Sequence, residues 1–192
     1  MNDRVLKPVE LQGAGLRLRP WENTPGDRRA ALRGLTDPDF RRWNTPVALV
    51  DDEEDVRAWT HGRADGWRRG DMASFAVLED TEIRGHVSLG VFDYGARSAR
   101  VGYWVLPEAR DRGIASRALR TITGWAFHDL GLHRLELRHD IGNEASCRVG
   151  LRCGYVPEGL LRQARFDLGG VPHDVHLHAR LAVDDPRPDV PR

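Results

Sequence analysis

Cysteine is scarce in this chain of 192 residues: there are two, Cys147 and Cys153. Six positions apart on one helix, they stand about 240° apart around its axis and cannot pair there, which fits a reducing compartment. Lysine is scarcer. Lys7 is the only one among 29 basic residues, so arginine carries nearly all the positive charge, a bias we read as codon usage of a GC-rich genome. Net charge is zero and both signs are interspersed, so the basic stripe that a nucleic-acid partner needs is missing. No apolar run reaches the roughly 18 residues of a membrane span, and the opening MNDRVLKPVELQGAG lacks the apolar centre of a secretion signal. These absences predict a soluble, cytoplasmic protein with no nucleic-acid partner and no membrane partner. Repeats, low-complexity linkers and charge blocks are lacking too, and a chain of this length with 40% hydrophobic residues can bury one proper core. We expect that domain over 12–183, after an N-terminal extension (1–11) and before a loose tail rich in Pro and Asp (184–192).

What is present alternates between two periods. LRLRPW (16–21) reads as a strand, PGDRRAALRGLTD (25–37) as a short helix, and 52–69 as an amphipathic helix. The last carries acids at its positive end and Val56, Trp59, Arg63 and Trp67 on one face. ASFAVLE and EIRGHVSLGVFD, broken at Asp80 and Thr81, predict an antiparallel hairpin, and SARVGYWVL a further strand with Ala99, Val101, Tyr103 and Val105 on one face. From 114 to 130 the apolar residues keep helical spacing, with Gly131 placed for a left-handed cap. HRLELRH (133–139) is again a strand, so strand, helix and strand form a right-handed crossover between parallel strands. A short helix from Asn143 to Gly154 and a closing hairpin around LGG complete an α/β arrangement: a mixed sheet with helices on both faces and one parallel junction in its middle.

That junction is the most informative place. RDRGIAS (110–116) lies between the strand and the helix. Gly113 in the first helical turn exposes the unpaired amides of Arg112 to Ser116 and lets an anion come close to the backbone. Such a helix end holds phosphate, and Arg110 and Arg112 can add contacts from its rim. A glycine that only permits the turn, with arginines facing solvent, would leave the same pattern. A Walker loop is excluded because no Gly-Lys-Ser/Thr follows, and the three-glycine dinucleotide fingerprint is absent.

GYWVLPEARDRGIASRAL, HRLEL, GNEASCRVGLRCGYVPEG and HDVHLHARL, in that order, resemble the Gcn5-related N-acetyltransferases, the GNAT family, and within it the ribosomal-protein N-terminal acetyltransferases. The resemblance spans about 12–183. It implies the GNAT fold, with a splayed parallel strand pair, and acetyl-CoA as co-substrate. Carried onto this chain, it sets Arg110, Gly113 and Ala115, with Arg112, Ile114 and Ser116 around them, against the coenzyme's pyrophosphate. Trp104, Val105 and Leu106 would lend backbone groups to the pantetheine arm, the Val105 amide polarising the thioester carbonyl. Asn143 would touch the pantetheine, and Ser146 would protonate the departing thiolate. Asn143 is equally a normal helix cap, and Ser146 equally a small residue packed on the sheet. Where many of these enzymes carry a tyrosine one turn later, this chain has Gly150; Tyr155 reads as core.

The acceptor side is less defined. An amine must be neutral to attack, yet Arg100 stands where related sequences often carry a glutamate, and Glu108 reads as a helix-start acid. His86 can face the cleft or pack within the sheet. A water chain past Tyr103 would serve an α-amine, whose pKa near 8 leaves a useful neutral fraction. No base is therefore assigned, and Tyr103 stands beside Ser146 as the second catalytic candidate. Trp43, His86 and Asp174 are the candidates for the acceptor's walls; Trp59 and Trp67 fit the buried face of their helix. His173, His176 and His178 invite a metal. His176 and His178 share a strand face, but no cysteine or second acidic cluster completes a tetrahedral set in the sequence, so no metal is expected. The expected reaction is acetyl transfer from acetyl-CoA to a primary amine by direct attack in a ternary complex, the acceptor being a protein N-terminus, ribosomal or other. Acetylation of a small amine, such as an antibiotic or polyamine, and a non-catalytic acyl-CoA sensor are the alternatives. An exposed last hairpin would also let two copies pair as a homodimer.

Overall fold

The structure is a computed structural model that describes residues 5–44 and 49–184. Eight strands form one sheet: β1 (Leu11–Gly13), β2 (Leu16–Pro20), β3 (Met72–Glu79), β4 (Glu82–Asp93), β5 (Ser98–Val105), β6 (Arg134–Asp140), β7 (Val156–Phe166) and β8 (Pro172–Leu181). Their spatial order is β1-β2-β3-β4-β5-β6-β8-β7, and every neighbouring pair is antiparallel except β5 and β6. Five helices accompany them: α1 (Pro25–Leu35), α2 (Pro38–Trp43), α3 (Glu53–Arg69), α4 (Ile114–His128) and α5 (Glu144–Arg152). α1 packs on β4 and α3, α3 on β3, α4 on β1, β4 and β5, and α5 on β6, β7 and α4. None of the described helices is long and apolar enough to cross a membrane.

The helices begin where side chains satisfy their first amides. Thr24 accepts from the Asp27 amide at the start of α1, and Asp52 and Asp55 form a reciprocal capping box on α3. Asp27 is fully buried, held by two hydrogen bonds from Arg19 at 3.0 and 2.6 Å. That bidentate pair ties β2 to α1 and pulls the Asp27 carboxyl below its ordinary range against the opposing effect of burial. Two small elements escape the sequence reading. β1 has three residues, too few for a period, and turns into β2 through Ala14 and Gly15, both at positive φ. α2 has six, started by Asp37 and Pro38. Part of the expected extension belongs to the domain: Leu6 is buried and its amide donates to the Trp67 carbonyl at 3.1 Å. Of the expected tail, only residue 184 is described.

The feature that positions everything else is the limited pairing of β5 with β6. Their register runs from Ser98↔Arg134 to Val101↔Leu137 and stops. Beyond it β5 follows β4 as far as Gly85↔Val105, while β6 follows β8 to Asp140↔Val175. Gly85 makes the divergence possible, because a Cβ there would lie 2.4 Å from the Trp104 carbonyl oxygen. β5 thus hugs β4, and a wedge opens on its other side.

Candidate active site

The wedge holds a cavity of about 680 Å³. Its strand wall is β5. The Leu106 amide donates to the Arg84 carbonyl at 2.9 Å, so the two-residue alternation of a strand turns the backbone groups of Val105 and Tyr103 the other way, into the wedge. Leu106 itself is buried and does not line the cavity. Its expected coenzyme contact is corrected on that ground: its amide is already used within the sheet.

The second wall is the turn into α4. Asp111 (φ 59°) and Gly113 (φ 72°) both take the left-handed conformation, and α4 has no side-chain cap. The amides at its start are therefore available to an anion. Arg110, Gly113, Ile114, Ala115 and Ser116 line the cavity as expected. Arg110 reaches back to α2, pairing with Asp37 and, at 2.8 Å, with Asp39. Arg112 departs from expectation: its guanidinium turns out of the cavity to Glu79 at 2.5 Å.

α5 forms the third wall. Asn143 accepts from the Ser146 amide at 3.0 Å, so the capping role is real, and Asn143 and Ser146 both line the cavity. Tyr103 donates its hydroxyl to the Ser146 carbonyl at 3.4 Å, and burial pushes its phenol well above the ordinary value. The phenol keeps its proton at neutral pH and serves as a donor, not as a phenolate base. Arg148 and Arg152 also line this wall, one turn apart and on the same helical face as Ala145, three residues before Arg148. Trp43 lines the mouth, beneath the Arg42 guanidinium at 4.6 Å.

A second cavity, of about 520 Å³, shares Phe40, Asn44, Gly102, Tyr103 and Trp104 with the first. Trp59, Arg63, His86 and Ser88 line it. His86 is buried, stacked on Trp104 with ring centroids 5.5 Å apart, and accepts at Nδ1 from the Trp21 indole at 3.1 Å. Burial and the nearby Arg63 charge push its pKa down to about 3. It is a neutral wall residue whose Nδ1 lone pair is already engaged. Arg63 sits over Trp59 at 4.6 Å, with its Nε buried and unpaired, and no carboxylate pairs with it among the described residues. Among the described residues the one acid of this cavity, Asp55, is occupied in the α3 capping box. Asp174 lines neither cavity: it sits in the last hairpin, accepting from the Gln163 amide at 2.8 Å. In the sequence Arg63 falls on one face of a helix, and nothing local to it announces a cavity.

The histidines require a further correction. The sequence offered no cysteine to complete a set with His176 and His178, yet the fold brings Cys147 from α5 and His139 from β6 to them. The ligand atoms of these four residues lie within 4.8 Å of one another.

Residues 15–156 match the family model described as acetyltransferase (GNAT) domain. Ribosomal-protein-serine acetyltransferase of Escherichia coli (strain K12) is 31% identical over 133 residues, covering 69% of this chain and 74% of that protein. Probable N-acetyltransferase YjcK of Bacillus subtilis (strain 168) is 35% identical over 181 residues, or 91% of this chain and 98% of that one. Among solved structures, Mycobacterium smegmatis RimJ in complex with CoA-disulfide superposes with a TM-score of 0.82 at 27% identity, covering 94% of this chain and 89% of its own.

Proposed function

Because this chain belongs to the GNAT acetyltransferase family and is an acetyl-CoA-dependent N-acetyltransferase, we propose that its acceptor is the α-amine of a protein N-terminus, in the first instance a ribosomal one. The observation that carries this reading is the pair of cavities meeting at Tyr103 and Trp104. The coenzyme occupies the wedge, with its pyrophosphate on the Gly113 turn and its pantetheine along β5. The acceptor enters from the second cavity. There the free Arg63 charge repels a polyamine or aminoglycoside and suits the carbonyl groups of a peptide. The similarity to a ribosomal-protein-serine acetyltransferase supports the same choice.

The chemistry follows from the walls. The neutral amine attacks the thioester carbon, the Val105 amide stabilises the oxygen that gains charge, and the carbon–sulfur bond breaks. Ser146, which lines the wedge, gives its hydroxyl proton to the leaving thiolate and regains one, directly or through water, from the nitrogen that must shed a proton as the amide forms. An α-amine of pKa near 8 is about one-tenth neutral at pH 7, so attack proceeds without a dedicated carboxylate base.

Free-thiol release from acetyl-CoA tests the proposal directly, with short peptides beginning in Ala, Ser or Thr run beside spermidine and an aminoglycoside. Release that depends on peptide supports it; release with only the small amines overturns it. Ser146→Ala is expected to lower kcat on the best peptide by at least about a hundredfold with coenzyme affinity unchanged. Loss of neither would reduce Ser146 to a packing residue, and tight coenzyme binding without turnover on any acceptor would favour a sensor.

A further inference from the structure

The geometry points to a zinc-type divalent cation site made by His139, Cys147, His176 and His178, a site distinct from the transfer chemistry and independent of which amine is acetylated. Three elements build it. β6 and β8 set His139 directly opposite His176, and His178 lies two residues further along the same face of β8. α5 closes over that face and delivers Cys147. It can approach because position 150 is glycine: a Cβ there would lie 2.9 Å from Leu137 Cδ2 and 3.8 Å from His178 Nδ1.

The hydrogen bonds around the cluster aim the ligand atoms inward. His139 Nδ1 is 2.8 Å from the Asp140 carbonyl oxygen, and His178 Nδ1 is 3.4 Å from that of Tyr155. A carbonyl oxygen can only accept, so each Nδ1 carries its ring's hydrogen and each Nε2 is left with a bare lone pair. Those two Nε2 atoms face each other at 3.1 Å, with Cys147 Sγ 3.9 Å from the second. Two lone pairs at that distance repel unless a cation lies between them.

A tetrahedral ion bound about 2.0 Å from each nitrogen would space them roughly 3.3 Å apart, close to what the chain presents. Three imidazoles and one thiolate, with no carboxylate among them, favour zinc over calcium or magnesium. Four protein ligands also close the coordination sphere, so the ion is structural and activates no water. Binding would release the Cys147 thiol proton. Because Cys147 follows Ser146 and His139 lines the coenzyme cavity, the ion would pin the α5 wall of the wedge to β6 and β8.

The test is cobalt titration of the untagged full-length chain after chelator treatment. The expected result is one equivalent bound, with visible bands of tetrahedral intensity and a thiolate-to-cobalt charge-transfer band that zinc abolishes by displacement. Cys147→Ser should remove the charge-transfer band, and it and His178→Gln should each weaken zinc binding by more than about tenfold, the lower range of what even outer-sphere partners cost. Zinc should raise the Tm of the native chain and not that of either variant. Absence of the charge-transfer band in the native chain, or zinc affinity unchanged in both variants, overturns the site and leaves His139 and His178 as a pair sharing a proton.

Discussion

The two cavities that meet at Tyr103 are built by opposite means. The coenzyme wedge is made largely of backbone: strand groups freed where β5 leaves β6, and amides at the start of α4. The second cavity, proposed for the acceptor, is made of side chains gathered from α1, α2, α3, β4 and β5, several of which belong to the hydrophobic core as well. The wedge also touches the core, through Val101, Trp104, Ala109, Ile114 and Leu137, but its turn at Gly113 can be altered without disturbing that core, whereas the aromatic wall at Trp104 cannot. Four perturbations test that contrast, in descending order of effect.

Trp104→Ala should be the most damaging. The indole is buried against His86 and Trp21, with Phe40 in an edge contact, and it fills the space over Gly34, where a Cβ would lie 2.4 Å from the ring. Losing a buried indole costs about 3–5 kcal/mol, so urea unfolding should show that loss together with weakened binding of both substrates. A stability change below about 1 kcal/mol would break the claim that the acceptor wall is core.

Acid should act on the same wall. His86 has its folded pKa lowered to about 3 by burial and by Arg63, against about 6.5 when unfolded. The unfolded chain therefore binds more protons between these values, and stability present above pH 6.5 is lost as pH falls toward 3. Between pH 7 and pH 5 this group alone removes about 2 kcal/mol. His86→Gln, which still offers an acceptor to the Trp21 indole, should flatten the pH dependence of urea unfolding by that amount.

Gly113→Ala addresses the backbone site. A Cβ at this position meets nothing within 4 Å, but φ is 72°, so the fold loses only the left-handed penalty of about 1–2 kcal/mol. Coenzyme affinity, measured by calorimetry, should fall by more than that strain alone explains, because the methyl group stands where the pyrophosphate approaches. Unchanged affinity would remove this turn from the coenzyme site.

How much could be read without coordinates follows the same division. The Gly113 turn, the Asn143 cap and the parallel junction were legible because each is written in a few consecutive residues whose backbone chemistry is fixed by type. The acceptor cavity was not: Arg63 and His86 meet only because α3 packs on the sheet, and their spacing along the chain carries no trace of it. The cluster of His139 and Cys147 with His176 and His178 was illegible for the same reason, since its ligands come from three elements and meet only after α5 has docked. Trp59, assigned to the buried face of α3, lines a cavity as well, because the period of a helix tells which side faces inward and not whether that side is filled.

Arg110 and Arg112 give the finest test, because the motif treats them alike and the structure does not. Both are ion-paired, but Arg110 lines the wedge while it pairs with Asp37 and Asp39, so Arg110→Gln should weaken coenzyme binding by about tenfold, the worth of one charged hydrogen bond. The Arg112 side chain is 48% exposed and spends its charge on Glu79 outside the cavity. Glu79 keeps a second partner in Arg117 at 2.7 Å, so Arg112→Gln strands no carboxylate. An exposed pair of this kind contributes about 0–1 kcal/mol; coenzyme affinity should hold within a few-fold and the Tm should barely move. If the two variants weakened the coenzyme equally, Arg112 would have to swing from Glu79 into the wedge when the coenzyme arrives. The backbone wall would then depend on a side chain that the free protein holds elsewhere.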